Sequence, residues 1–481
     1  MASPDRTRDP RFWTQLDIVM AAAAERGITI GYEWSPGRDR ETLTPDLLFE
    51  HDAILVPARY VDSLPADLRG NAVSGRGVSS PRADRNTDDD LLLVNTGGDR
   101  APETIERLER DGVERGALRP NHLISITGGC VCPATEPIRV DGAAKPLPRQ
   151  SPDDAGDGVF VQVVDTGIWD GFGDGRPWFH DASGLDVEEV TGVPRSGGGL
   201  GRLEVGGNKR SGTIVDGVIG EYVGHGVFVA GVLRCVAPGT RVFVSNALAW
   251  AGAVMEDTLG QDMVRGLVQA IEQGDPPDII SLSAGSATFC DLPYAGLRAF
   301  FTEMERPDCT TLLVAAAGNE GETHKFYPAA LAVDRPDMVV GVGALRGDGW
   351  GRACFTNYGD WVSVYAPGER LVNAYLKGTY RYIDPPQLSA TGAPACRYYT
   401  PALYGGCSCT DAPPQHSEQE FDGMAEWSGT SFSTPYVAGR IAAFMHATGE
   451  KNARVAARAL LRTLPSVVDA EDGFVLTKVI H

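Results

Sequence analysis

A chain of 481 residues, 42% hydrophobic and 22% charged, is long enough for two or three folded units and has the balance of a soluble globular protein. Its formal net charge of -21 argues against binding through nucleic-acid phosphates or anionic lipid, because like charges repel. The opening MASPDRTRDPRFW holds no apolar run of a secretion signal, and no later run reaches the ~20 apolar residues of a membrane span, which predicts a cytoplasmic protein.

The first predicted element is an amphipathic helix around Trp13 to Arg26. Strand-like runs AILVPARYV, LLLVNTG and HLISI follow, with PETIERLERDG as a helix between the last two. That alternation predicts a small α/β or α+β domain over residues 1–140. Residues 141–158, DGAAKPLPRQSPDDAGDG, are rich in Pro, Gly, Asp and Ala and predict a linker. From Val159 the runs VFVQVVDTG, TRVFVSNAL, DIISLSAGS, TTLLVAAAGN, DMVVGVGAL and WVSVYAPG are nearly continuous in apolar residues, as strands buried on both faces of a parallel sheet must be. GHGVFVAGVLRCVA and QDMVRGLVQAIEQG between them supply helical crossovers. Residues 159–481 are therefore expected to form a doubly wound, mostly parallel α/β sheet, with surface insertions near 190–210 and 378–425.

Nine cysteines is an odd number, and without a secretion signal most should be reduced. The pairs Cys130/Cys132 and Cys407/Cys409 could hold zinc, but Cys-x-Cys is tighter than the usual spacing and the pairs lie far apart, so no metal is assigned.

In open α/β sheets the ligand crevice lies outside the carboxyl ends of the strands, and Asp165, Ser283 and Asn319 all follow apolar strand runs there. A serine hydroxyl becomes a useful nucleophile only beside a base, and the base works best when a third group fixes its tautomer. Ser431, in EWSGTSFSTPYVAG, stands at the start of a helix, where backbone amides favour a developing oxyanion. His225, between two glycines in VGHGVFVAG, is the histidine best placed to be its base, with Asp165 to receive the imidazole N–H. Asn319, in AAAGNEG, offers an amide donor. Singly, each has a plainer role: a loop cap, a structural histidine, a turn residue, a helix cap.

Together, Asp165-Thr166-Gly167, His225-Gly226, Ala317-Gly318-Asn319 and Gly429-Thr430-Ser431 with Pro435 resemble the subtilisin-like serine proteases, in that family's chain order. Supporting similarity in DIISLSAG, YPAALAV, VVGVGAL and CFTNYGDWVSVYAPG extends it over roughly residues 159 to 446. An α/β-hydrolase would need Gly-x-Ser-x-Gly, and position 433 is serine.

The resemblance implies a serine endopeptidase acting through an acyl-enzyme, with Ser431 as nucleophile, His225 as base, Asp165 as its support and Asn319 in the oxyanion hole. It places a substrate strand beside Ser283, Ala284 and Gly285, and walls the first pocket with Ala316, Ala317 and Gly318. Phe326 falls where a small residue often forms the pocket floor, so small side chains are expected before the cut bond, unless the ring points into the core. The family's usual Thr and His after His-Gly are Val227 and Phe228 here, which should make the surroundings of the base more apolar. From about Asp52 to Ile126 the chain resembles the family's inhibitory propeptide in length and order, and the segment from Gly128 to Gly158 would then be open to self-cleavage. An accessory domain that recruits substrate is the other reading. No cofactor is required. Calcium is common in the family, yet Asp153/Asp154/Asp157 and Asp170/Asp174 match no defined ligand spacing. The alternatives are a catalytically silent peptide-binding pseudoprotease and a zinc-assembled interaction module.

Overall fold

The computed structural model describes residues 10–38, 40, 44–84, 90–126, 136–168, 214–215, 217–248, 250–382, 418–469 and 473–481. Helix α1 (Pro10–Ala24) buries Phe12, Trp13, Leu16, Val19, Ala22 and Ala23, a single stripe at helical spacing. Gly27, at φ 72°, turns the chain out of that helix in a conformation other residues adopt only with strain. Strands β1 (Ile30–Glu33) and β2 (Leu47–Pro57), helix α2 (Ala66–Arg69), strands β3 (Ala72–Val78) and β4 (Leu91–Asn95), helix α3 (Ala101–Arg110) and strand β5 (Arg119–Ser125) complete the N-terminal part. Its strands are antiparallel in the order β5-β2-β4-β3, with β1 also on β2. Helix α3 turns Ala101, Ile105 and Leu108 onto this sheet.

The C-terminal body contains strands β6 (Ile138–Arg139), β7 (Phe160–Asp165), β8 (Ile214–Val215) and β9 (Val218–Ile219), helix α4 (His225–Val236), strands β10 (Arg241–Asn246) and β11 (Ala253–Met255), and helix α5 (Glu256–Glu272). Strand β12 (Ile279–Leu282), helix α6 (Arg298–Met304), strands β13 (Leu312–Ala316), β14 (Val339–Leu345), β15 (Val364–Pro367), β16 (Leu371–Arg381) and β17 (Glu418–Trp427), and helices α7 (Thr430–Thr448) and α8 (Ala453–Thr463) follow. The main sheet is parallel throughout, in the order β10-β7-β12-β13-β14-β15. Side chains alternate across it: Val161, Val163, Val242 and Val244 join one core with α4, α7 and α8, while Val164, Ile280, Leu282 and Leu313 join the other with α5 and α6. Both faces are thus covered by helices, as the unbroken apolar runs require.

Residues 378–381 and 418–425, inside the stretch expected to be a surface insertion, are paired strand. Strands β16 and β17 form an antiparallel ladder from Leu371↔Trp427 to Arg381↔Glu418. Lys377, Gly378, Asp422 and Gly423 give those segments a loop-like composition, but Tyr375, Tyr380, Phe421 and Trp427 are buried in the core that contains α4. Residues 383–417, the insertion near 190–210 and both Cys-x-Cys pairs lie outside the described residues. The segment expected as a linker is bound to the C-terminal body. Leu147 exchanges backbone hydrogen bonds of 2.7 and 3.2 Å with Val372, and Ser151 N–H donates to Cys235 O at 2.8 Å.

The two parts share a sheet and a core. Strand β11 pairs antiparallel with β5, Ala253 opposite Ser125 and Met255 opposite Leu123, and so extends the N-terminal sheet. Leu123, Ile124 and Ile126 are buried in one cluster with Val254, Leu259 and Ala284. Polar groups sealed in this contact are matched: Arg76 forks onto Asp257 at 2.8 and 2.9 Å and onto Glu50 at 3.0 and 3.1 Å, and Asn121 bridges both carboxylates at 2.8 and 3.0 Å.

Candidate active site

Asp165 closes β7, an inner strand of the parallel sheet between β10 and β12, and is fully buried. One carboxylate oxygen accepts its own neighbour's amide, Thr166 N–H, at 2.7 Å. His225 is the first residue of α4, and its Nδ1 lies 2.8 and 3.0 Å from the two carboxylate oxygens of Asp165. That contact needs the helix to approach the turn after β7 closely. Gly226 allows it: a methyl there would stand 2.3 Å from Gly167 O, and Gly226 N–H donates to Thr166 Oγ1 at 3.0 Å. Asp-Thr-Gly and His-Gly are thus one packed unit.

Ser431 is the second residue of α7, whose N-terminus faces the same rim. Its hydroxyl donates to Ser283 O at 3.3 Å, and Ser283 Oγ donates back to Ser431 O at 2.8 Å. Ser431 is not hydrogen-bonded to His225 in this conformation; such contacts are often long before substrate binds. The two positions share an aromatic wall. The His225 ring lies 5.3 Å from Phe432 and meets Trp427 edge-on at 5.4 Å, while Phe228 stacks on Phe432 at 4.5 Å. Phe228, standing where the family usually has histidine, therefore makes the wall behind the imidazole apolar.

Asn319 follows the turn at Gly318, where φ is 94°. Its Oδ1 accepts both Thr430 N–H at 2.8 Å and Thr430 Oγ1–H at 2.9 Å, which fixes the amide plane beside the N-terminus of α7. The acceptor end is thus engaged by the residue before Ser431, and the donor, Nδ2, is the end this contact does not use. Sequence reasoning found Asn319 but missed Thr430 as its anchor. It also missed Trp427 and Phe432, which had no local signal because their meeting depends on the β17–α7 corner.

Ser283, Ala284 and Gly285 continue from β12 along this rim. Gly285 is already paired: Ser125 N–H donates to Gly285 O at 3.2 Å, and Gly285 N–H to Ser125 O at 3.1 Å. Ala317 and Gly318 lie across from these residues, and the Phe326 ring, buried in one core cluster with Ala284, Ala317 and Tyr327, packs close to both Gly285 and Gly318. A methyl on Gly285 would meet Phe326 Cε1 at 2.4 Å, and one on Gly318 would meet Phe326 Cδ2 at 2.8 Å. Among the described residues no group of three or more His, Cys, Asp or Glu is placed to hold a metal ion. Asp170 and Asp174 lie outside the described residues. No helix among the described residues is long and apolar enough to cross a membrane.

A model of the subtilase family matches residues 156–475. A thermophilic serine proteinase from Bacillus sp. (strain AK1) is 32% identical over 174 residues, 36% of this chain and 38% of that protein. An extracellular serine proteinase from Thermus sp. (strain Rt41A) is 27% identical over 242 residues, 49% of this chain and 48% of that one. The matches thus span less than half the length of these two relatives. Among solved structures, fervidolysin from Fervidobacterium pennivorans, described as a keratinolytic enzyme related to subtilisin, has a TM-score of 0.50 at 16% identity, covering 94% of this chain and 62% of that one.

Proposed function

This chain belongs to the subtilase family, and from that premise we propose that it is a serine endopeptidase cutting peptide bonds through an acyl-enzyme. The observation that carries the reading is the buried Asp165 carboxylate holding His225 Nδ1 at 2.8 Å, on the rim that also presents Ser431 and Asn319. Ser431 Oγ attacks the peptide carbonyl carbon while His225 Nε2 takes its proton. Asn319 Nδ2 donates to the oxyanion, and the proton then passes from His225 to the leaving amine. Water, activated by the same imidazole, breaks the ester. A silent peptide-binding protein would leave the Ser431 hydroxyl unreactive. Labelling with a fluorophosphonate, with the added mass mapped to Ser431, tests the difference. An unlabelled, folded chain with its cleft open would sink the enzyme reading.

In the substrate pocket, the Phe326 ring leaves room only for small side chains before the cut bond. A peptide series varied at that residue should favour Gly, Ala or Ser, and Phe326→Ala should shift preference toward large side chains by about tenfold or more, roughly the value of a single methylene in a pocket. A wild-type preference for aromatic residues would refute this.

We further propose that the N-terminal part is an intramolecular inhibitor. Strand β5 and Ser125 occupy the edges of β11 and Gly285 that a substrate strand would use. Ser125 lies opposite Gly285, and a substrate strand taking the place of β5 in that antiparallel register would bring its residue two further on opposite Ser283, the neighbour of Ser431. The bond marked for self-cleavage is then Thr127–Gly128, and Thr127 is modest in size. Intact-mass measurement should find a product beginning at Gly128 in wild type and not in Ser431→Ala; the same product in both would exclude self-processing. A cytoplasmic location is also our proposal, supported by Cys235, Cys290 and Cys309, which stand as thiols, and tested by cell fractionation.

A further inference from the structure

Resting on the proteolytic reading, we infer that Glu322 anchors a subsite for a substrate guanidinium at the third residue before the cut bond, a subsite that Arg38 of the N-terminal part fills in the intact chain. Arg38 sits in the turn between β1 and β2, far in sequence from the cleft, yet its side chain is 3% exposed. Its guanidinium forks onto the Glu322 carboxylate, Nη1 to Oε2 and Nη2 to Oε1 at 2.9 Å. Nε donates to Thr44 O at 2.9 Å and lies 3.6 Å from Asp46 Oδ1. His324 Nδ1 approaches the same Glu322 oxygen at 3.1 Å.

This ion pair lines one cavity with Ser125, Gly285 and Phe326. Leu123 lines it as well, as expected when alternate residues of a strand face one side. A substrate strand that replaced β5 in the same register would aim the residue at Ser125's position into this cavity. Serine is short, and Arg38 fills the remaining space from the opposite side. When the N-terminal part leaves, Arg38 and Asp46 leave together, but Glu320 and Glu322 stay on the wall of the cleft. The Glu322 backbone is fixed there: its N–H donates to Asn357 Oδ1 at 3.0 Å, and its carbonyl accepts Tyr358 N–H at 2.9 Å. A carboxylate held in this way, beside a partly covered cavity, matches the planar fork of arginine better than the point charge of lysine. The neighbouring first pocket is filled by the Phe326 ring, so the long basic side chain belongs at the third position and not the first.

The test compares two peptides that differ only in arginine or neutral citrulline at the third residue before the cut, with kcat/KM measured on the purified protein after self-processing and referred to its fluorophosphonate-titrated sites, so that only open clefts are counted. Wild type should favour arginine about tenfold, the size of one charge-assisted bidentate contact partly open to solvent. Glu322→Gln should bring the ratio to about one, and Glu322→Lys should turn the preference toward glutamate at that position. Equal rates for the two peptides in wild type would overturn the subsite and leave the protease reading standing. A processed protein, its cleft open, that cuts neither peptide and takes no fluorophosphonate would overturn that reading and the subsite with it.

Discussion

Ser431→Ala should lower kcat by about 10⁶-fold, the loss known for subtilisin itself when its nucleophile is removed, while the protein stays folded. The substitution deletes one hydroxyl, whose bond to Ser283 O at 3.3 Å contributes at most about 1 kcal/mol. The reciprocal bond, Ser283 Oγ to Ser431 O, uses the backbone and survives. Alanine also suits the first turn of α7, and the buried Thr430, Phe432 and Ser433 around it are untouched. Hydrolysis of a peptide and thermal unfolding, measured side by side, separate chemistry from stability. Activity above a few per cent of wild type would remove Ser431 from the mechanism, and a fall in Tm of more than about 10 °C would make the loss uninformative about chemistry.

Asp165→Asn should cost about 10⁴-fold in kcat, again with little effect on the fold. The side chains are nearly identical in shape, and the oxygen that accepts Thr166 N–H can be kept. The oxygen kept for Thr166 N–H, Oδ1, is also 2.8 Å from His225 Nδ1, but the amide's N–H₂ now stands in place of the second acceptor, 3.0 Å from the same nitrogen, and competes to donate to it. To the extent that it wins, the imidazole is held with Nδ1 as acceptor and its proton on Nε2, and so cannot take the proton of Ser431. Asp165 is fully buried, so bulk water cannot stand in for the lost acceptor. A loss below about tenfold would show that Asp165 caps the turn after β7 and does not set the tautomer of His225.

The apolar wall around His225 follows from residues that no single motif flags. Phe228, Trp427 and Phe432 come from α4, the end of β17 and α7, and they touch because the β16–β17 ladder leads Trp427 back to the head of α7. Such a wall excludes water and strengthens the Asp165–His225 interaction, since charges attract more strongly where the effective dielectric is low.

The sequence by itself determined the parallel α/β body, through unbroken apolar runs that only a sheet covered on both faces can bury, and it marked Asp165, His225, Asn319 and Ser431 as candidates, because each follows a strand or begins a helix near a glycine that permits close approach. It did not reveal the β16–β17 ladder, whose glycines and charges read locally as loop and whose aromatic residues are sheltered only by α4. Nor did it reveal that Ser125 pairs with Gly285, or that Arg38 reaches Glu322 across 284 positions of chain. Local propensity and periodicity act over a few turns of backbone, whereas the strand in the cleft and the buried ion pair gain their free energy from groups brought together only by tertiary folding, where desolvation makes an unmatched charge or amide costly.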